Sequence, residues 1–123
     1  MKKNNKRIGD LGEAYAREYL CKKGYNIVRA NYKNAFGEID IVARLKGTYV
    51  FIEVKARQGT GFGTPAEAVT YQRQRRLINA ANQYLAENGI DAPCRFDVIE
   101  IMCRYDGSRF EVRELNHIED AVH

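Results

Sequence analysis

The sequence predicts one α/β domain, a mixed β-sheet flanked by helices in the order α-β-β-β-α-β-β. Three observations carry this reading. Two strand-like runs, Glu38 to Leu45 and Thr48 to Ala56, meet at Lys46-Gly47, a pair suited to a tight hairpin. Helix-period apolar stripes stand before and after them. Two further runs rich in β-formers close the chain. At 123 residues, the chain has the size of one domain with one useful core.

The elements follow in order. From Ile8 to Lys23, Leu11, Ala14, Tyr15 and Tyr19 form one helical stripe, and Gly24 supplies a stop. Residues 1–8 read as a basic tail before a single domain over 9–123. Tyr25 to Ala30 carries Ile27-Val28 and reads as a short strand. Asn31 to Phe36 reads as a loop, in which Tyr32 and Phe36 are candidates to stack on a base, with packing the simpler role. After the hairpin, Gln58 to Thr64 holds three glycines and reads as a flexible loop. Thr64-Pro65-Ala66-Glu67 has the form of a capping box. Leu77, Ile78, Ala81, Tyr84 and Leu85 then make a stripe that ends before Gly89, with a break expected near Thr70. Arg95 to Cys103 and Arg109 to Leu115 are the last two strands, with a turn at Asp106-Gly107. The crossover from the third strand through the second helix makes the fourth strand parallel to it.

Composition narrows the function. No run of about 18 apolar residues exists to cross a membrane. The first residues are polar and basic rather than a secretory signal, and three cysteines form no Cys-x-x-Cys pair. The expected compartment is the reducing cytoplasm. His117 and His123 are the two histidines, which argues against a Cys/His zinc site. Residues 1–76 hold 16 Lys/Arg against 7 Asp/Glu, whereas residues 77–123 hold 4 against 9. A basic first half suits an anionic partner, nucleic acid above all, although a solvated basic surface has the same composition.

The hairpin carries the chemistry. With Lys46-Gly47 as the loop, Ile39 faces Val54, Ile41 faces Ile52 and Ala43 faces Val50, so one face is apolar throughout. On the other face Asp40 falls across from Glu53, and Glu38 across from Lys55. Directly opposed residues have Cβ atoms about 4.5–5.5 Å apart. Two carboxylates so placed repel, and a proton or a cation relieves them. Lys55 lies about 6.6 Å along the strand from Glu53 and cannot neutralise three carboxylates. Two converging carboxylates with water and a substrate phosphate suit Mg2+, with Mn2+ as a second choice. Cross-strand Glu/Lys salt bridges on a solvent face are the competing reading. They do not explain the opposed Asp40–Glu53 pair.

An acidic residue, a hairpin turn and then Glu-x-Lys is the pattern of the PD-(D/E)XK nuclease superfamily, here Asp40 and Glu53-Val54-Lys55. The pattern has few fixed letters, and its proline is Ile39 in this chain. The surrounding text is more specific. Gly37-Glu38-Ile39-Asp40-Ile41-Val42, Phe51-Ile52-Glu53-Val54-Lys55-Ala56-Arg57 and Arg95-Phe96-Asp97-Val98 resemble the YraN family of small bacterial proteins. The likeness runs from about Gly9 to the C-terminus. It implies a restriction-endonuclease-like three-layer fold, similar to archaeal Holliday junction resolvases. It also implies that Asp40 and Glu53 bind metal, that Lys55 assists catalysis and that Glu13 completes the acidic cluster. Periodicity alone does not choose Glu13, because Glu18 lies within the apolar stripe and is a rival. Arg73 stands where the family often has lysine. Helical spacing turns Arg73 and Gln74 inward, toward a bound phosphate, and Arg75 and Arg76 outward.

Arg57, on the Lys55 face, is the best further phosphate contact, and Glu38 is a supporting acid. Such contacts give salt-dependent, sequence-independent binding. The expected function is a metal-dependent endonuclease acting on DNA, a homodimer by analogy with resolvases. Two rivals stand beside it: a non-catalytic DNA-binding adaptor that keeps the fold, and a nuclease of RNA or single strands.

Overall fold

The computed structural model describes residues 2–59 and 70–121, with side chains from Asn5 onward. The capping box expected at Thr64–Glu67, Phe62 and most of the glycine loop lie outside the described residues. The elements are α1 (Lys2–Lys22), β1 (Asn26–Asn34), β2 (Gly37–Leu45), β3 (Thr48–Gln58), α2 (Tyr71–Glu87), β4 (Cys94–Tyr105) and β5 (Phe110–Ile118). The sheet order is β1-β2-β3-β4-β5. Only the β3–β4 pairing is parallel. The predicted α-β-β-β-α-β-β order and mixed sheet are therefore present. No described helix is long and apolar enough to cross a membrane.

The sheet separates two cores. On one face Ile41, Ala43, Val50, Ile52, Val54, Ile99 and Ile101 pack with Ile8, Ala16 and Leu20 of α1. On the other, Val42 and Phe51 pack with Leu77, Ala80, Ala81 and Tyr84 of α2. Alternation along β2 and β3 produces both sets, because successive strand residues point to opposite faces.

Helix α1 departs from expectation in two ways. It begins at Lys2, so residues assigned to a basic tail form its first turns, and Ile8 is buried. Its buried ridge is Ile8, Gly12, Ala16 and Leu20, not Leu11, Ala14, Tyr15 and Tyr19; Tyr15 is 41% exposed. The reason is steric. A Cβ on Gly12 would lie 2.5 Å from the Ala56 Cβ, so α1 meets β3 where neither has bulk. Large side chains do not permit that approach, and they sit at the flanks.

Strand β1 runs on to Asn34 through residues expected as loop. A register shift between Ile27 and Arg29, with Asn31 at φ +53°, interrupts its pattern. Tyr32 is buried against Tyr84 and donates a 3.0 Å hydrogen bond to Glu87, so packing is its role; Phe36 is exposed. Helix α2 starts where the break was expected: the Thr70 Oγ1 accepts the Arg73 N–H at 3.2 Å. Strands β4 and β5 extend a few residues beyond their expected ends.

The hairpin register is as predicted from Leu45↔Thr48 to Ile41↔Ile52. There the ladder stops, so the expected pairs Asp40–Glu53, Ile39–Val54 and Glu38–Lys55 are not ladder pairs. Instead the Val54 N–H donates to the Asp40 Oδ2 at 2.8 Å. Beyond this point β2 stays with β1, through Tyr32↔Ile39 and Lys33↔Glu38. Ile39 consequently packs in the α2 core rather than with Val54.

A polar network ties α1 to β4 and β5. Asp97 is fully buried and takes 3.0 and 3.1 Å hydrogen bonds from Arg95, one from the Asp120 N–H at 3.0 Å, and lies 2.8 Å from the His117 Nε2. The Tyr19 hydroxyl is 3.0 Å from the other ring nitrogen. Burial alone would raise the Asp97 carboxyl, but the hydrogen bonds from His117, Arg95 and Asp120 hold it below the usual range. The Arg95-Phe96-Asp97 segment is thus structural, holding β5 against the sheet.

Two consequences can be measured by urea unfolding. Gly12→Ala should destabilise the fold by about 1–3 kcal/mol, the usual cost of overpacking a tight contact. Asp97→Ala should cost about 3–5 kcal/mol, because it strips the half-buried Arg95 and the His117 ring of their shared, fully buried partner.

Candidate active site

The site forms where β2 leaves β3. Glu53 stands on the α2 face of β3, one residue past the end of the ladder, and is 3% exposed. Arg73, in the first turn of α2, places its Nη2 on the Glu53 Oε1. Asp40 is half-buried on β2 with one carboxylate oxygen on the Val54 N–H. Its carboxyl is raised to about 7 by burial first and by the Glu53 charge second; the Val54 N–H and Arg73 offset part of this. The opposed pair read from the sequence therefore meets electrostatically, though not as a ladder pair.

Glu13 is half-buried on α1, beside the Gly12 contact. Burial raises its carboxyl, as do the charges of Asp10, Glu38 and Glu53, against a lowering by Arg17. The corrected helix face separates the two rivals in burial. Glu13 is turned toward the sheet, whereas Glu18 is solvent-exposed and paired with Lys22 at 3.5 Å. Gly12 was the available signal, since a glycine inside a helix marks close approach.

Other predicted residues divide. Glu38 does not face Lys55. It is Lys33's partner across β1–β2, 3.8 Å away and exposed, because β2 follows β1 here. It still lines a shallow cleft with Glu53, Arg73, Arg76 and Leu77. Lys55 is half-buried and two residues beyond Glu53, on the same face of β3. Arg57 is exposed on that face, its Nη2 3.7 Å from the Glu100 Oε2. Arg73 and Gln74 are half-buried, and Arg75 and Arg76 are exposed, as helical spacing predicts.

Glu100 is the residue that sequence reasoning missed. It is the register partner of Lys55 in the parallel β3–β4 pairing and is 1% exposed. Its Oε1 accepts a long 3.4 Å bond from Asn116, and its Oε2 accepts none among the described residues. Only the parallel register brings it beside Lys55, and no local pattern announces that register.

The donor set consists of carboxylate oxygens, hard ligands of the kind that Mg2+ and Mn2+ select. Among the described residues no three His, Cys, Asp or Glu side chains stand together as a ready metal cage. Mg2+ does not need one, since it is commonly held by one or two carboxylates with waters and phosphates. A cation shared by Asp40 and Glu53 would also offset the burial and the Glu53 charge that together keep the Asp40 proton on. The pair fits such an ion.

The raised Asp40 pKa has a definite sign in stability. The group holds its proton in the fold up to about pH 7 but loses it near 3.8 when unfolded. Its favourable contribution is complete below the unfolded value and is lost as pH rises through the folded one. Asp40→Asn should therefore raise the melting temperature of metal-free protein by about 5 °C at pH 8, and by much less at pH 4. A thermal melt series in chelator checks this, and equal shifts at both values would contradict it.

The model of an uncharacterised protein family, UPF0102, matches residues 12–101. A UPF0102 protein of Alkaliphilus oremlandii is 45% identical over 123 residues, covering 95% of this chain and 98% of the relative. One from Symbiobacterium thermophilum is 47% identical over 104 residues, 84% of this chain and 88% of the relative. One from Caldanaerobacter subterraneus subsp. tengcongensis is 40% identical, covering 98% and 99%. The matched residues include Glu13, Asp40, Glu53, Lys55 and Arg73, so the site lies within the shared region. By these similarities the chain belongs to the uncharacterised protein family UPF0102.

Proposed function

We propose that this protein is a divalent-metal-dependent phosphodiesterase acting on DNA. The observation that carries the reading is the Asp40–Glu53 pair, two mutually repelling carboxylates at a strand divergence with Lys55 on the Glu53 face. The resemblance to the PD-(D/E)XK superfamily supports it. Asp40 and Glu53 hold Mg2+ or Mn2+, and Glu13 adds negative charge from α1. Bound metal supplies an acidified water and a polarised phosphoryl oxygen. Lys55 orients the attacking water and stabilises the negative charge that develops on the phosphate. Arg57, Arg73 and Gln74 contact the phosphate backbone, and Glu38 lies at the rim of the cleft. Backbone contacts of this kind bind without reading sequence. A homodimer would present two such sites to two strands.

One observation favours the adaptor reading. Arg73 pairs with Glu53 directly, as a non-catalytic descendant of a nuclease would allow. The two readings separate on mutation. For the enzyme, Glu53→Gln and Lys55→Ala should each lower Mg2+-dependent cleavage by about 100-fold or more, while DNA affinity changes less than threefold, as expected for groups acting in the transition state. The assay is cleavage of linear, branched and single-stranded DNA beside a fluorescence-anisotropy binding curve. DNA binding by wild type without cleavage of any substrate would leave the adaptor.

A further inference from the structure

Glu53 is a carboxylate whose side chain is only 5% exposed. A bare charge so deeply placed is costly, and it persists only with a partner. Among the described residues that partner is the Arg73 guanidinium, which stands on the Oε1 of one of the two carboxylates that the metal reading needs. Two cations on one carboxylate repel, so they compete for it.

The partners differ in freedom. Glu53 is fixed in the middle of β3, paired with Val98 of β4 in register. Arg73 reaches in from the first turn of α2, and its side chain is 41% exposed. Its backbone is held at the helix start by the Thr70 cap, so the side chain can move without the helix. Arginine does not release a carboxylate by losing its proton, because it stays charged at any ordinary pH. It leaves only when another cation takes its place.

Once displaced, the guanidinium remains at the cleft lined by Glu38, Glu53, Arg76 and Leu77. A phosphate ligating the metal would lie beside it. The planar fork of arginine suits two phosphate oxygens at once.

We propose that Arg73 is a resident placeholder cation that exchanges Glu53 for a substrate phosphate when metal enters. This inference rests on the metal reading above. Its consequence is coupling. Metal alone binds weakly because it must evict Arg73. Phosphate rewards the eviction, so each ligand strengthens the other by the same factor.

The test is Mn2+ binding by calorimetry on wild type, Arg73→Gln and Arg73→Lys, without DNA. The expected result is that Arg73→Gln binds Mn2+ about tenfold more tightly, within the usual range of coupling between sites. Arg73→Lys keeps a cation near Glu53 and should stay near wild type, which a general effect on folding would not predict. In parallel, anisotropy with a cleavage-resistant phosphorothioate duplex should show Mn2+ strengthening DNA binding in wild type and not in Arg73→Gln. Wild type that binds Mn2+ with no gain in Arg73→Gln overturns the placeholder role and leaves the metal site standing. Absence of Mn2+ binding in all three proteins overturns the metal reading and this inference with it.

Discussion

The site depends on one hydrogen bond, from the Val54 N–H to the Asp40 carboxylate. In an uninterrupted ladder, backbone carbonyls take such donors and the strands stay together. Here a side chain substitutes, at the first position past Ile41↔Ile52. A buried N–H must be satisfied somewhere, so the substitution is what lets the strands part. Their parting sends Ile39 to the α2 core and Glu38 to Lys33, and leaves Glu53 facing Arg73. The same bond draws Asp40 out of water. One contact thus shapes the cleft, while burial and the Glu53 charge raise the proton affinity of Asp40 within it.

Around that cleft, the two central parallel strands carry the buried acids. Glu53, Asp97 and Glu100 are the buried charged residues among those described, and all lie on β3 or β4. Their surroundings assign them different work. Asp97 is saturated with donors and is a structural anchor. Glu53 has, among the described residues, one part-exposed partner, Arg73. Glu100 has one weak donor and an arginine just beyond hydrogen-bond reach. Satisfaction of hydrogen-bonding capacity distinguishes the scaffold from the site more clearly than burial does.

The hairpin was legible because two independent patterns agreed there. Alternating apolar residues fixed the register, and Lys46-Gly47, with φ of +50° and +84°, fixed the loop. The end of the ladder was not legible, since it depends on which acceptor the Val54 N–H takes. The face of α1 was misread for a definite reason. Size-weighted periodicity follows Leu11 and Tyr15, while the helix is seated through Gly12 and Ala16. Glu13 was therefore singled out by resemblance and not by pattern. The Arg73 contact and the Glu100 neighbour of Lys55 span 20 and 45 positions of chain, beyond any local period.

The seating of α1 on Ala56 also acts as a key with one setting. A helix packed through ordinary side chains can slide by a turn and find a similar groove. This one cannot. Slipping one turn either way would bring Ile8 or Ala16 against Ala56, and a Cβ there stands 2.5 Å from its neighbour. Glu13 is adjacent in sequence to the notch, so its height above the sheet is set to within a residue. A side chain that is absent meters the position of the carboxylate beside it.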